Sequence, residues 1–163
     1  MMKVFRLSRK KYANELSGKG AAISGNRWNS KGTEIIYTAE SRALAMAEVL
    51  VHLSLSILPA DYMMLEVEIP DEIGIKEIAI ADLEKGWNSH PPRTHTQFIG
   101  DQFIRENVYS ILKVPSAVVP GDSNYLINPQ HIESKGIKIS NTWPFPFDER
   151  LFNQTHRRKE IDS

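Results

Sequence analysis

Between Gly18 and His52 the chain gathers residues suited to an anionic, ring-bearing, sugar-containing ligand. Arg27 sits with Trp28 in a loop that has glycines at 18, 20, 25 and 32. A guanidinium beside Gly25 in such a small-residue loop can fork a phosphate or carboxylate. The glycines allow positive φ and close backbone approach. Tyr37 ends the next apolar run and offers a flat ring for stacking. Glu48 follows on a helical stretch, where a carboxylate can accept from sugar hydroxyls or oppose a developing positive charge. Each residue also has a plain structural reading. Arg27 could stack on Trp28 at the surface, Trp28 could anchor packing, Tyr37 could be core, and Glu48 could form an (i, i+4) pair with His52. Their placement on a loop, a strand end and the following helix carries more weight than any one of them, because three such elements can converge on one cleft.

A second group lies in Val114-Pro115-Ser116-Ala117 and Asn124-Tyr125-Leu126-Ile127-Asn128-Pro129. Ser116 could donate to a ligand or satisfy a strand backbone. Ser123 and Asn124 sit at a turn and could reach the same cleft, although turn capping accounts for Ser123 equally. No Gly-x-Ser-x-Gly elbow surrounds Ser116, which argues against a serine hydrolase. Gly18-Lys19-Gly20 looks like a phosphate loop but matches neither the dinucleotide fingerprint nor the Walker spacing. His90 and His95 flank Pro91-Pro92 at a spacing that suits no known ligand set, so no metal site is expected.

The elements that must position these residues follow from periodicity. Lys3 to Leu7 reads as a strand, Ser8 to Leu16 as a turn or short helix, Gly18 to Gly32 as loop, and Glu34 to Tyr37 as a short strand. Thr38 is the expected cap of a helix whose face carries Leu44, Ala47, Val51, Leu55 and Leu58, ended by Pro59. Tyr62 to Ile69 alternates as a strand with one buried side. Ile75 to Ile80 reads as another strand. Thr94-His95-Thr96-Gln97 has capping-box form and opens a helix through about Asn107, with Phe98, Phe103 and Ile104 toward the core. Tyr109 to Val114, Ser116 to Val119, Asn124 to Asn128 and Ile137 to Ser140 read as strands. Strands and helices mix without regular alternation, which predicts an α+β fold.

Composition narrows the class. The 163 residues predict one domain, 1–163, with a sizeable core. Twenty basic residues balance twenty acidic ones, against direct nucleic-acid binding by a basic face. His156-Arg157-Arg158-Lys159 reads as part of a solvated tail, 148–163. There is no cysteine, so disulfides, thiolate metal sites and a cysteine nucleophile are excluded. No apolar run approaches the ~20 residues of a membrane span, and the N-terminus lacks a signal-peptide core. A cytoplasmic protein is the expectation.

Taken in order, Phe5-Arg6-Leu7, Gly18-Lys19-Gly20-Ala21, Gly25-Asn26-Arg27-Trp28-Asn29, Tyr37, Leu44-Ala45-x-x-Glu48, Gln97-x-x-Gly100-Asp101, Val114-Pro115-Ser116-Ala117 and Asn124-Tyr125-x-x-Asn128-Pro129 resemble the RES domain, over about residues 3–147. Asn26 departs from the second glycine often expected there. The resemblance implies a fold similar to ADP-ribosyltransferases, a split, twisted β-sheet core with flanking helices. It implies a bacterial toxin of a type II toxin–antitoxin pair, partnered by an Xre-type helix-turn-helix antitoxin and able to form homo- or hetero-oligomers. It implies attack on NAD+ as a substrate, with inorganic phosphate or water as acceptor and no permanently bound cofactor. Carried over by motif, the family arginine falls on Arg27, the tyrosine on Tyr37, the glutamate on Glu48 and the serine on Ser116, with Ser123 the alternative. Arg6, Gly25, Trp28, Ser123 and Asn124 are the expected substrate contacts. Transfer of ADP-ribose to a protein, or a non-catalytic binding module, are the rival expectations.

Overall fold

The computed structural model describes residues 1–54 and 56–152. Seven strands form one sheet: β1 (Met2–Arg9), β2 (Ile36–Ala39), β3 (Tyr62–Ile69), β4 (Ile75–Glu77), β5 (Ile111–Pro115), β6 (Ser123–Ile127) and β7 (Lys138–Pro144). Their order is β4-β5-β6-β2-β1-β3-β7, and every neighbouring pair is antiparallel except β4–β5. Among the described residues three α-helices accompany the sheet: α1 (Lys19–Ser24), α2 (Arg42–Leu50) and α3 (Thr94–Glu106). The α+β architecture agrees with the sequence reading.

The sheet is tight on one side of its centre and open on the other. β1 and β3 pair over eight registered positions, from Met2 with Ile69 to Arg9 with Tyr62. β1 and β2 share only one, Phe5 with Ala39. Beyond it the two strands part, and the fork is where the candidate site lies.

Alternation along the strands sends side chains to two faces. Val4, Ile36, Val67, Ile69, Ile111 and Ile127 pack together on one face. On the other, Phe5, Leu7 and Met64 pack under Leu44 and Ala45 of α2, while Ile35, Leu112 and Leu126 pack with Trp28, Trp87 and Phe103 of α3. Each large side chain buried this fully contributes roughly 1.5–3 kcal/mol. β3 is therefore covered on both sides: Met64 and Glu66 are buried as well as Leu65, Val67 and Ile69, against the expectation of one buried side.

Several local expectations are corrected. The 18–32 loop contains α1, because Ala21-Ala22 favour a helix that the flanking Gly18 and Gly25 delimit. Thr38 does not cap α2; it lies in β2 and its hydroxyl donates to the Tyr125 carbonyl at 2.6 Å. Ser41 caps instead, accepting from the Leu44 amide at 3.1 Å. α2 ends at Leu50, so Val51 and Leu58 are exposed, and Leu55 lies outside the described residues. Past that end Ser54 bonds locally to Ser56, the kind of side-chain competition that disfavours helix. At α3 no capping box forms, and Phe98 is 57% exposed beneath Arg105. Phe103 is buried as expected, with Ile104 packed beside it, and the buried stripe is completed by Thr96 and Gly100. Residues 116–119 form a turn, not a strand, and Ile80 belongs to a 3-10 turn after β4. The tail cluster at 156–159 lies outside the described residues.

Candidate active site

A cleft of about 910 Å3 opens in the fork between β1 and β2. That size falls within the range of small-molecule and cofactor sites. Arg6, Gly25, Arg27, Trp28, Tyr37, Glu48 and Asn124 all line it. Loop, strand and helix thus converge as the spacing suggested. Ser116 and Ser123 are not among its lining residues.

The loop bearing Arg27 is fixed by α3. A Cβ at Gly100 would overlap the Trp28 carbonyl, so glycine lets the helix lie directly on the loop. Gln97 Nε2 donates to the Asn26 carbonyl at 3.1 Å. Both carboxylate oxygens of Asp101 accept from Ser30, one from its amide and one from its hydroxyl. Gly25 takes φ +70° at the C-terminal end of α1, a conformation that glycine adopts without strain. Sequence reasoning noted Gln97, Gly100 and Asp101 as a motif and gave them no role. Their role is to press the arginine loop into place.

Asn29 was noted as part of the 25–29 motif and given no role, and it is fully buried. Its Nδ2 donates to the carbonyls of Ala21, Ser30 and Thr33. Its Oδ1 accepts from the Tyr37 hydroxyl at 2.7 Å, while that hydroxyl accepts from the Trp28 amide at 3.0 Å. Only its place beside Arg27-Trp28 could have flagged it. Both bonding capacities of the phenol are spent, and burial pushes its pKa well above the ordinary phenol value, with the Trp28 amide working the other way. Tyr37 therefore presents a neutral ring and holds no proton for exchange. Trp28 is buried and its ring lies 6.3 Å from that of Trp87, in keeping with a packing anchor.

Arg27 Nη1 donates to the carbonyls of Trp87 and Ser89, both at 2.9 Å. Those bonds aim the guanidinium and tie the 87–89 segment to the cleft, where Asn88 and His90 also stand. Burial lowers the Arg27 pKa, and the nearby charge of Glu48 opposes that shift. Arg6 is likewise lowered by burial, and its Nη1 lies 3.5 Å from the Tyr37 carbonyl. Neither arginine is in an ion pair among the described residues. Two partly buried guanidiniums that make no ion pair among the described residues have the chemistry to receive an anionic ligand.

Glu48 lines the same cleft from the last turn of α2. Its Oε1 accepts from Ser116 Oγ at 3.0 Å. Ser116 Oγ in turn accepts from the amides of Val118 and Val119, at 3.1 and 3.0 Å. With its lone pairs occupied, the hydroxyl has its proton directed at Glu48. Ser116 is buried behind the carboxylate rather than facing the cleft, so it orients Glu48. Ser123 bonds through its backbone to Glu40, and Asn124 Nδ2 donates to the Thr38 carbonyl at 3.2 Å.

Comparison with known proteins identifies the family of the whole chain. The RES domain matches residues 3–148. A "Prs ADP-ribosylating toxin" of Sphingobium sp. is 40% identical over 144 residues, covering 87% of this chain and 89% of that protein. A "Toxin Res" of Pseudomonas putida is 36% identical over 140 residues, covering 85% and 93%. In structure, a chain of the M. tuberculosis MbcT-MbcA toxin-antitoxin complex superposes with a TM-score of 0.72 over 94% of this chain and 87% of that one, at 18% identity. That last likeness is one of fold. The family match spans nearly every residue described above, and the chain belongs to the RES domain family.

Proposed function

We propose that the protein is the toxin of a toxin–antitoxin pair and that it consumes NAD+ by breaking the bond between nicotinamide and ribose. The observation that carries the reading is the meeting of Arg27, Tyr37 and Glu48, from three separate elements, around one cleft. The bonding pair of the C1″–N bond leaves with the ring, turning a pyridinium into neutral nicotinamide, so no strong general acid is needed. Positive charge grows on the ribose in an oxocarbenium-like transition state. A fixed carboxylate there gains more in the transition state than in the ground state, which lowers the barrier. Glu48 supplies that charge, and Ser116 keeps it aimed. The ring of Tyr37 stacks on the nicotinamide. Arg27, close enough to Glu48 to feel its charge, and Arg6 hold the diphosphate or an incoming phosphate.

An oxygen of inorganic phosphate bonding to C1″ gives ADP-ribose-1″-phosphate. Water gives ADP-ribose and releases a proton. Chromatography of NAD+ incubated with the protein, with and without phosphate, separates these outcomes; NAD+ left intact under both conditions removes the proposal. A second reading, transfer of ADP-ribose to a protein, is favoured by the name of the Sphingobium relative. Label from NAD+ found on protein in a cell extract, and not on small products, would establish that reading instead. The partner is proposed to be an Xre-type helix-turn-helix antitoxin. The structural neighbour comes from a toxin-antitoxin complex, and co-purification of the product of the adjacent reading frame tests it.

A further inference from the structure

The cleft has an end that the chemistry at Glu48 leaves unused. β1 continues from Phe5, beside Ala39, to Arg9, a run of about 13 Å at the usual strand rise. A 3-10 turn over Lys10–Tyr12 follows. The cleft follows β1 along this length, and Arg9, Tyr12, Leu53 and Tyr62 line its far end.

Tyr12 is the unusual member. Its side chain is 61% exposed and, among the described residues, belongs to none of the packed clusters. The turn beneath it is nonetheless held: the Lys10 amide donates to the Asp61 carbonyl at 2.7 Å, and the Ala13 amide closes the turn on Lys10. The ammonium of Lys11 stands 4.9 Å from the Tyr12 ring centroid, which covers one face with a cation and leaves the other for a flat partner. Arg9 is already engaged, with Nε 3.0 Å from Asp61. This end therefore offers an aromatic platform rather than another phosphate clamp. Tyr62 closes it from β3, its ring edge-on to Phe147 at 5.5 Å. Opposite ends of one cleft thus carry different chemistry. A carboxylate, two guanidiniums outside any ion pair among the described residues and a buried ring lie at the fork, and an open ring on a held turn lies beyond it.

We infer that this far end is the subsite for the adenine of the dinucleotide, with Tyr12 the ring on which the purine stacks. The inference rests on the NAD+ reading above. It makes Tyr12 a binding residue with no part in breaking the glycosidic bond.

Kinetics with NAD+ and with nicotinamide mononucleotide, which lacks the adenylate, read the difference directly. Tyr12→Ala is expected to raise KM for NAD+ about five- to a hundred-fold, the size of one base-on-ring stack. Tyr12→Phe restores it. KM for the mononucleotide should move by less than about twofold in the same variant. An equal rise for both substrates, or none for NAD+, overturns the subsite. If the unaltered protein consumes neither substrate, the NAD+ reading itself falls, and binding of 5′-AMP then decides the subsite. Saturation-transfer NMR signal from AMP that Tyr12→Ala abolishes supports an adenylate site, and absence of signal with the unaltered protein overturns it.

Discussion

The two charges of α2 meet opposite fates at its two ends. Arg42 opens the helix and Glu48 lies in its last turn, and both signs are wrong for the helix dipole, which favours anions at the start and cations at the end. Arg42 is compensated within the protein. Its guanidinium lies 4.5 Å over the Phe5 ring and 5.3 Å from that of Trp143, and it reaches Glu66 Oε2 at 3.6 Å. Glu66 is itself saturated by Lys3 at 3.1 Å and by Ser140 and Asn141 at 2.8 and 3.2 Å. Glu48 has one hydroxyl, an open cleft, and a guanidinium near enough to feel it. A charge placed against its helix dipole and left accessible does not serve stability. The contrast separates a structural polar cluster from the carboxylate proposed to be reactive on the same helix.

Removing the charge of Glu48 should break the contrast most sharply. Glu48→Gln keeps the shape and is expected to lower kcat about 10²–10³-fold, the scale of losing one preorganised electrostatic group. The melting temperature should hold or rise, because the dipole conflict is relieved. Turnover measured beside thermal unfolding decides; an unchanged kcat removes Glu48 from the chemistry. Arg27→Lys comes next. Lysine keeps the charge but cannot span the Trp87 and Ser89 carbonyls while facing the cleft. NAD+ turnover should fall about 10- to 100-fold. Full activity in the lysine variant would mean that charge alone is needed there.

How much of this was legible in the sequence depends on the kind of signal. Arg27, Tyr37 and Glu48 could be found because each has a chemically distinctive type and because strand end and helix follow the loop directly. The α+β class followed from irregular mixing of apolar periods. The boundary of α2 did not, because Val51 and Leu58 continue its apolar spacing while Ser54 and Ser56 divert the chain. Phe98 misled for a related reason: which face of α3 is buried is set by the contact of Gly100 with Trp28, seventy-two residues away in the chain. Ser116 was found as a residue but not as a neighbour. That its hydroxyl turns toward Glu48 depends on the amides of Val118 and Val119, and so on a turn geometry that its residue type does not encode.

Tyr37 sharpens the contrast from the side of the cleft. Tyr37→Phe keeps the ring and removes the hydroxyl, stranding the Trp28 amide and Asn29 Oδ1. The expected cost is about 1–3 kcal/mol, read by chemical denaturation. If the ring is what stacks on nicotinamide, activity measured well below the melting temperature should fall less than in Glu48→Gln. The raised phenol pKa also sets a sign. A group whose folded pKa exceeds its unfolded value of about 10 contributes stability below that value and loses it as pH rises toward the folded pKa. The phenylalanine variant should therefore lose less stability than the unaltered protein on going from neutral pH to above about pH 10.

The smallest effect belongs to the saturated cluster. The Ser140 hydroxyl, then Lys3, hold the Glu66 carboxyl below the usual carboxylate range, while burial works against them. The Glu66 side chain is only 5% exposed, yet its cations Lys3 and Arg42 reach in from solvent at 50% and 56% exposure, so much of the ion pairing is screened. A depressed folded pKa gives stability that is present above the unfolded value of about 4.3 and is lost as pH falls through the folded one. Glu66→Gln should lower the melting temperature by a few degrees at neutral pH, and the gap between variant and parent should close as the solution is taken below about pH 4. NAD+ consumption at low temperature should stay near that of the parent, because none of the carboxylate's partners Lys3, Arg42, Ser140 and Asn141 lines the cleft. A gap that persists unchanged in acid would mean that the side chain stabilises through packing rather than charge. A loss of turnover without a loss of stability would mean that the two ends of α2 are coupled, and the division between structural and reactive charge would not hold.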